Sequence, residues 1–259
     1  MSAQILPVTS RDNPALVRLR KLAADPSGYR KTGSVWIEGD HLLRAALQRG
    51  WRPSLVVATE AAMQDGALRE LAESAAPRVL VVPAALFKAL SGLESPAQVG
   101  AELNLPEAPA IDANAASLVL DRLQDAGNVG AILRSAAAFG VRQVLAVKGT
   151  AALWSPKVVR AGQGAHFGLR LIEGLAPADL AALAVPMVAT SSHTEHSLSR
   201  VTLPSPCAWV MGHEGQGVSP ELMARCALTV GIPQPGGEES LNVAAAAAIC
   251  LYESERQKG

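Results

Sequence analysis

The chain has few aromatic side chains: Phe, Trp and Tyr make up 3% of 259 residues. Its core must therefore be assembled from Leu, Val, Ile and Ala, in a sequence that is 49% hydrophobic. No apolar run approaches the roughly 20 residues that a membrane-spanning helix needs. The longest such run, 243–251, leads into a charged tail. The first 30 residues mix Arg, Asp, Asn and Pro and lack the apolar stretch of a secretory signal, so a cytoplasmic location without membrane association is expected. Cysteine is scarce and odd in number. Cys207, Cys226 and Cys250 are far apart in apolar surroundings and read as buried thiols in a reducing compartment, with no metal-ligand spacing. Net charge is also missing, with 23 basic and 23 acidic residues. That balance argues against a general nucleic-acid binder, which usually carries a basic footprint.

The neutral average conceals an asymmetry. Residues 1–50 hold eight Lys and Arg against four Asp and Glu, a local excess of four positive charges. A solvated helix face explains such a run as readily as a binding surface does. Apolar Leu16, Leu19 and Leu22 alternate with Arg and Lys over 13–22, the pattern of a short basic amphipathic helix. Strands are expected at 34–38, 55–58 and 79–82, and helices at 40–48, 67–74 and 83–90. This alternation makes a small α/β layer domain. A break at 95–98 and a Pro- and Ala-rich stretch at 105–112 read as a linker. The alternation restarts with strands at 118–123, 143–147, 166–171, 186–190, 207–211 and 228–232. Helices are expected at 129–139, 156–162, 177–184, 220–225 and 242–256. The second part is thus an open, mostly parallel sheet. The domains are expected at 1–100 and 116–259, with 101–115 between them.

Three glycine-bearing loops follow expected strands. The first is Leu120-Asp121-Arg122-Leu123-Gln124-Asp125-Ala126-Gly127-Asn128-Val129-Gly130, running on to Arg134 and Gly140. Asn128 reads locally as a helix N-cap, and Arg134 as a cation awaiting a carboxylate. The second is Val210-Met211-Gly212-His213-Glu214-Gly215-Gln216-Gly217. Its glycines permit positive φ and close approach to a ligand, and Glu214 can pair a neighbouring Arg. It is neither a dinucleotide-binding fingerprint nor a phosphate-binding P-loop. The third is Ile232-Pro233 followed by Glu239-Ser240-Leu241-Asn242-Val243 at a helix start, where free N–H groups suit a carboxylate or phosphate.

Together and in this order, these blocks resemble the three motifs of the SpoU (TrmH-type) branch of the SPOUT methyltransferases, which methylate RNA ribose 2′-hydroxyls with S-adenosylmethionine. Thr9 to Pro14, Trp36 to Leu43 and Ser155 to Ala165 resemble further family segments, so the likeness covers nearly the whole chain. It implies a C-terminal parallel-sheet methyltransferase domain closed by a deep trefoil knot, preceded by a small α/β domain that binds RNA. It implies a homodimer in which the catalytic Arg comes from the partner chain. It places Asn128, Arg134, Glu214, Ser240 and Asn242 in the catalytic centre, and Thr190, Gly212, Gly217, Ile232 and Leu241 at the methyl donor. The sequence departs from the family at His213, where a small residue is usual, and at Gly162 and Ala244, where serines are common. The N-terminal extension points to large-subunit ribosomal RNA, since the family's tRNA members generally lack it. A tRNA methyltransferase and a non-catalytic RNA-binding paralogue are the alternatives. His193, Glu195 and His196 imitate metal ligands, but no third ligand stands near them in a Ser/Thr-rich loop, so no metal is expected.

Overall fold

The computed structural model describes residues 3–236 and 240–258. Glu239 of the third motif lies outside them. In chain order the elements are β1 (Gln4–Pro7), α1 (Pro14–Ala24), α2 (Tyr29–Thr32), β2 (Ser34–Glu38), α3 (Asp40–Gln48), β3 (Leu55–Thr59), α4 (Gly66–Ala75), β4 (Arg78–Val82), α5 (Ala84–Lys88) and β5 (Val99–Asn104). There follow β6 (Ser117–Leu120), α6 (Ala126–Ala138), β7 (Gln143–Val147), α7 (Pro156–Gly162), β8 (Arg170–Leu175), β9 (Met187–Thr190), β10 (Ala208–Met211), α8 (Pro220–Met223), β11 (Leu228–Val230) and α9 (Val243–Arg256). The chain forms two compact units, Met1–Glu107 with Trp154–Phe167, and Ala108–Leu153 with Gly168–Gly259.

The first unit is built on a five-stranded sheet in the order β1-β4-β3-β5-β2. Strands β1, β3 and β4 run parallel, while β5 is antiparallel to both β3 and β2. The expected linker thus begins too early, because 101–104 belong to β5. That strand carries Gly100 and Glu102, both poor strand formers, and each has a tertiary reason. A Cβ on Gly100 would lie 2.3 Å from Trp36 Cζ2, so glycine makes room for the indole. Glu102 is buried, accepts a hydrogen bond from Ser34 Oγ at 3.0 Å and is ion-paired with Arg18. Gly100→Ala is expected to overpack this site and destabilise the protein by about 1–3 kcal/mol in chemical denaturation.

Segment Trp154–Phe167 packs within this first unit, although the expected boundaries kept it with the second part. Helix α7 lies against β2. Trp51 meets Trp154 and Phe167 with ring centroids 5.6 and 5.5 Å apart, and its Nε1 donates to the Phe167 carbonyl at 3.1 Å. The strand expected at 166–171 is displaced. Residues Ala165–Gly168 form a 3-10 turn, and β8 begins at Arg170.

The second unit holds a six-stranded parallel sheet in the order β11-β9-β10-β6-β7-β8. Strands β6, β7 and β10 are buried along their whole length, as expected of parallel strands covered on both faces. Val119, Leu145, Val147, Met187, Ala189, Ala208 and Val210 share one core layer. From the alternate position Trp209 donates through Nε1 to Ser254 Oγ on α9 at 2.8 Å, and α9 packs along α6. From β6 the chain winds outward to β7 and β8, then crosses to β9 on the other side. The reversal of strand order lies at β6 and β10, the place where open α/β sheets bind ligands outside the carboxyl ends of their strands.

Candidate functional site

The loops that leave β6 and β10 carry the first two motifs side by side, since Leu120 and Met211 are paired in register. Asp125 adopts extended φ/ψ and caps α6, its Oδ1 accepting the Asn128 N–H at 2.7 Å. The helix therefore starts before Asn128, which is not the N-cap that local sequence suggests. Its carboxamide is freed for other work. Asn128 Nδ2 donates to Glu214 Oε1 at 3.3 Å, and Asn128 Oδ1 accepts from Asn242 Nδ2 at 2.9 Å. Asn242 is the N-cap of α9, its Oδ1 accepting the N–H groups of Ala244 and Ala245 at 2.9 and 3.2 Å. One chain of hydrogen bonds thus links residues from all three motifs.

Glu214 has a different partner from the Arg that its sequence context suggests. Its Oε1 accepts the Asp125 N–H at 3.1 Å and its Oε2 the Gln124 N–H at 3.3 Å. Partial burial pushes this carboxyl up. The N–H groups of Glu214 itself, Asp125 and Gln124, with the Asn128 side chain, outweigh that effect and hold it below the ordinary glutamate value. The carboxylate is therefore a fixed acceptor that ties the β10 loop to the start of α6.

The glycine loop is tightly folded. His213 N–H donates to the Gly217 carbonyl at 3.0 Å, and Gly217 N–H returns a bond to the His213 carbonyl at 2.8 Å. Gly217 has φ +68°, and a Cβ on Gly212 would stand 2.2 Å from the Gly217 carbonyl carbon and the Val218 nitrogen. His213 Nδ1 accepts the Gly215 N–H at 3.0 Å, which gives the unusual residue at this position a role within the loop.

Thr190 ends β9, and Ile232 follows β11, whose Val230 is paired with Thr190. With Gly212 they stand at the carboxyl ends of neighbouring parallel strands. Among the described residues, the backbone N–H groups of Ile232 and Leu241 make no hydrogen bond. These groups and the side-chain-free Gly212 are the type of lining that suits a nucleoside with an amino-acid tail, so the residues present fit S-adenosylmethionine. Ser240 and Leu241 are exposed.

Arg134 is not brought into this group. It is exposed on α6 and has no hydrogen-bond or ion-pair partner among the described residues. It lies six positions beyond Asn128 on the helix, about 9 Å along the axis and on a different face. Lys157 is exposed, and Arg160 reaches the Gly92 carbonyl at 3.5 Å, both in the first unit. Burial pushes the thiols of Cys207 and Cys226 up to about 11 and that of Cys250 up to about 12. Among the described residues, no group of three or more His, Cys, Asp or Glu could hold a metal ion, and no helix is long and apolar enough to cross a membrane. Sequence reasoning passed over Asp121, Arg122 and Gln216, which contact one another beside the glycine loop. No local pattern marks them, because their association depends on the pairing of β6 with β10.

Comparison with known proteins agrees with this arrangement. Residues 115–252 match the model of the SpoU rRNA Methylase family, and 13–101 match the MRM3-like substrate binding domain. A protein of Synechocystis described as an uncharacterized tRNA/rRNA methyltransferase is 32% identical over 100% of this chain and 96% of its own. The Bacillus subtilis 23S rRNA (guanosine(2553)-2′-O)-methyltransferase RlmP is 31% identical over 86% of this chain and 88% of its own. The crystal structure of an RNA 2′-O ribose methyltransferase superimposes with a TM-score of 0.82 at 30% identity, covering 98% of this chain and 99% of the other. The AdoMet-bound rRNA methyltransferase from Sinorhizobium meliloti gives 0.85 at 27% identity, covering 98% of both chains. With its motifs gathered at one end of a parallel sheet and the family model matched over more than half its length, the chain belongs to the SpoU rRNA methylase family.

Proposed function

We propose that this protein methylates a ribose 2′-hydroxyl of large-subunit ribosomal RNA, using S-adenosylmethionine. The observation that carries this reading is the hydrogen-bonded series Glu214–Asn128–Asn242 at the carboxyl edge of the parallel sheet, beside Gly212. The name of the Bacillus subtilis relative supports the choice of RNA, and so does the match of 13–101 to a substrate-binding model. The first unit is proposed to recognise the RNA by shape and exposed loop nucleotides.

When bound, S-adenosylmethionine supplies an electrophilic methyl on a sulfonium. Backbone groups of Gly212, Ile232 and Leu241 would hold it, with Thr190 and Gly217 beside them. Asn128, Ser240 and Asn242 would orient the ribose and its phosphate, and fixing both reactants in attack geometry supplies much of the acceleration. Arg134 is assigned an electrostatic role, binding the adjacent phosphate and stabilising the developing alkoxide as the 2′-hydroxyl proton passes to water, because a guanidinium does not deprotonate in proteins.

The site is proposed to be completed in a homodimer, with Arg134 supplied by the second copy. Its distance from Asn128 along α6 supports this, as do the exposed Ile249 and Tyr252 on α9. A trefoil-knotted closure is proposed from the resemblance to the family, with α9 packed on α6. The free cysteines, of which Cys207 and Cys250 are buried and Cys226 is only partly so, support a cytoplasmic location.

Transfer of labelled methyl to unmodified large-subunit rRNA, small-subunit rRNA and bulk tRNA tests the reading. Label in large-subunit rRNA alone is the expected result. Label in tRNA alone would make the protein a tRNA methyltransferase, and failure to bind the donor would favour a non-catalytic RNA-binding paralogue. Glu214→Gln tests the carboxylate. An amide retains one acceptor oxygen where the carboxylate uses two, so its NH2 would face a backbone N–H. Methyl transfer is expected to fall about tenfold, the worth of one charge-assisted hydrogen bond.

A further inference from the structure

Directly after β6, Asp121 is almost fully buried at 1% exposure and uses both carboxylate oxygens. Its Oδ2 accepts the Ser219 N–H at 2.6 Å, just beyond the glycine loop, and its Oδ1 accepts Arg122 Nε at 2.9 Å. Arg122 continues outward, its Nη1 donating to Gln216 Oε1 at 3.1 Å within the loop. Its backbone is held in turn. Arg122 N–H donates to Thr150 Oγ1 at 3.1 Å, and that hydroxyl donates to the Leu120 carbonyl at 2.9 Å.

Arg122 has φ +60°, and the other described non-glycine residue with positive φ is Gln163. Glycine would take this conformation without strain. A long cationic side chain in a left-handed position persists where its surroundings over-determine it, and such positions cluster at functional sites. Here the side chain is what the strain retains, since only a long, forked donor can reach from Asp121 to Gln216.

We infer that Arg122 is a positioning residue, a brace that fixes the Gly212–Gly217 loop, and with it Glu214, to the buried Asp121 at the end of β6. This inference rests on the methyltransferase reading of the same site. The brace sets the loop backbone for the methyl donor and the carboxylate for Asn128 before either ligand arrives, so binding does not have to order the loop.

Two variants separate stability from function. Gln216→Ala leaves the pair of Arg122 with Asp121 intact and should hold Tm. In Arg122→Gly the relief of backbone strain is outweighed by loss of the guanidinium beside the buried Asp121 carboxylate, so Tm is expected to fall. The affinity for S-adenosylmethionine is expected to drop about tenfold, with faster amide exchange at 213–218, as befits loss of a charge-assisted bond. Gln216→Ala should reproduce the lower affinity and the faster exchange, and Gln216→Glu should retain wild-type values. The double variant Arg122→Gly with Gln216→Ala should add nothing, because both act through one contact. Donor affinity within twofold of wild type, or unchanged loop exchange, in Arg122→Gly would overturn the brace. A wild-type protein that binds no S-adenosylmethionine would instead overturn the methyltransferase reading, and the exchange measurement would still decide the brace.

Discussion

Arg134→Ala is expected to lower the rate of methyl transfer by about 100- to 1000-fold, the range seen when a single preorganised transition-state donor is removed. Donor affinity should stay within twofold. The asymmetry follows from where the residue sits. Arg134 touches none of the groups at the ends of β9, β10 and β11 and is exposed on α6, so its loss leaves the donor lining intact. Single-turnover transfer to large-subunit rRNA beside a donor titration reads both quantities, and equal loss of both would count against the assignment. Mixing chains provides a sharper version. Arg134→Ala chains have the Asn128–Glu214–Asn242 group, and Gly212→Ala chains, expected to lose about 100-fold in transfer, have the Arg. If the Arg crosses between copies, a mixture of the two impaired chains recovers activity that neither has alone. If each chain uses its own Arg, the mixture stays impaired.

Gly212→Ala is expected to have the larger effect on donor binding. The added Cβ would come within 2.2 Å of two backbone atoms, the Gly217 carbonyl carbon and the Val218 nitrogen. Backbone that is hydrogen-bonded to His213 and fixed at Ser219 by Asp121 cannot swing aside as a flexible side chain would. The loop must be displaced as a whole. A displacement of about 1 Å is enough for a loss on the order of 100-fold in methyl transfer. Unlike Arg134→Ala, this variant should lose donor affinity in parallel, with a stability cost of about 1–3 kcal/mol from overpacking. Calorimetric titration with S-adenosylmethionine and thermal unfolding check the two parts, and wild-type affinity in the variant would remove the glycine loop from the donor site.

Residues with strong local signals were legible in the sequence. Strand β7 is apolar at every position after Gln143, and the Leu16, Leu19 and Leu22 stripe of α1 faces the core. What escaped depends on distant partners. Strand β5 is disguised by Gly100 and Glu102, which only Trp36, Ser34 and Arg18 explain. Edge strand β1 is short, largely exposed and ends in Pro7, with no alternation to betray it. At the site, the motif residues were found by resemblance, but their hydrogen bonds were not. Asn128 reads as a cap until Asp125 is seen to take that position. Glu214 reads as an Arg partner until the N–H groups of Gln124 and Asp125 are seen to occupy it. The Asp121–Arg122–Gln216 contact spans 95 sequence positions between its ends and had no signal that a single sequence could hold.

The return of Trp154–Phe167 to the first unit bears on how this architecture can be divided and inherited. A chain cut between Glu107 and Ala108 does not separate into two self-sufficient modules. The C-terminal fragment would retain Trp154, Val158, Val159 and Phe167 without Trp51 and β2 to cover them, leaving an apolar patch in the middle of its sequence. The N-terminal fragment would lose part of its own core at the same stroke. Exchange of one half for that of a relative must therefore carry the inserted segment as a separate graft, or match it to the new partner. Recombination at a single crossover is disfavoured, and the two units are constrained to evolve as a pair.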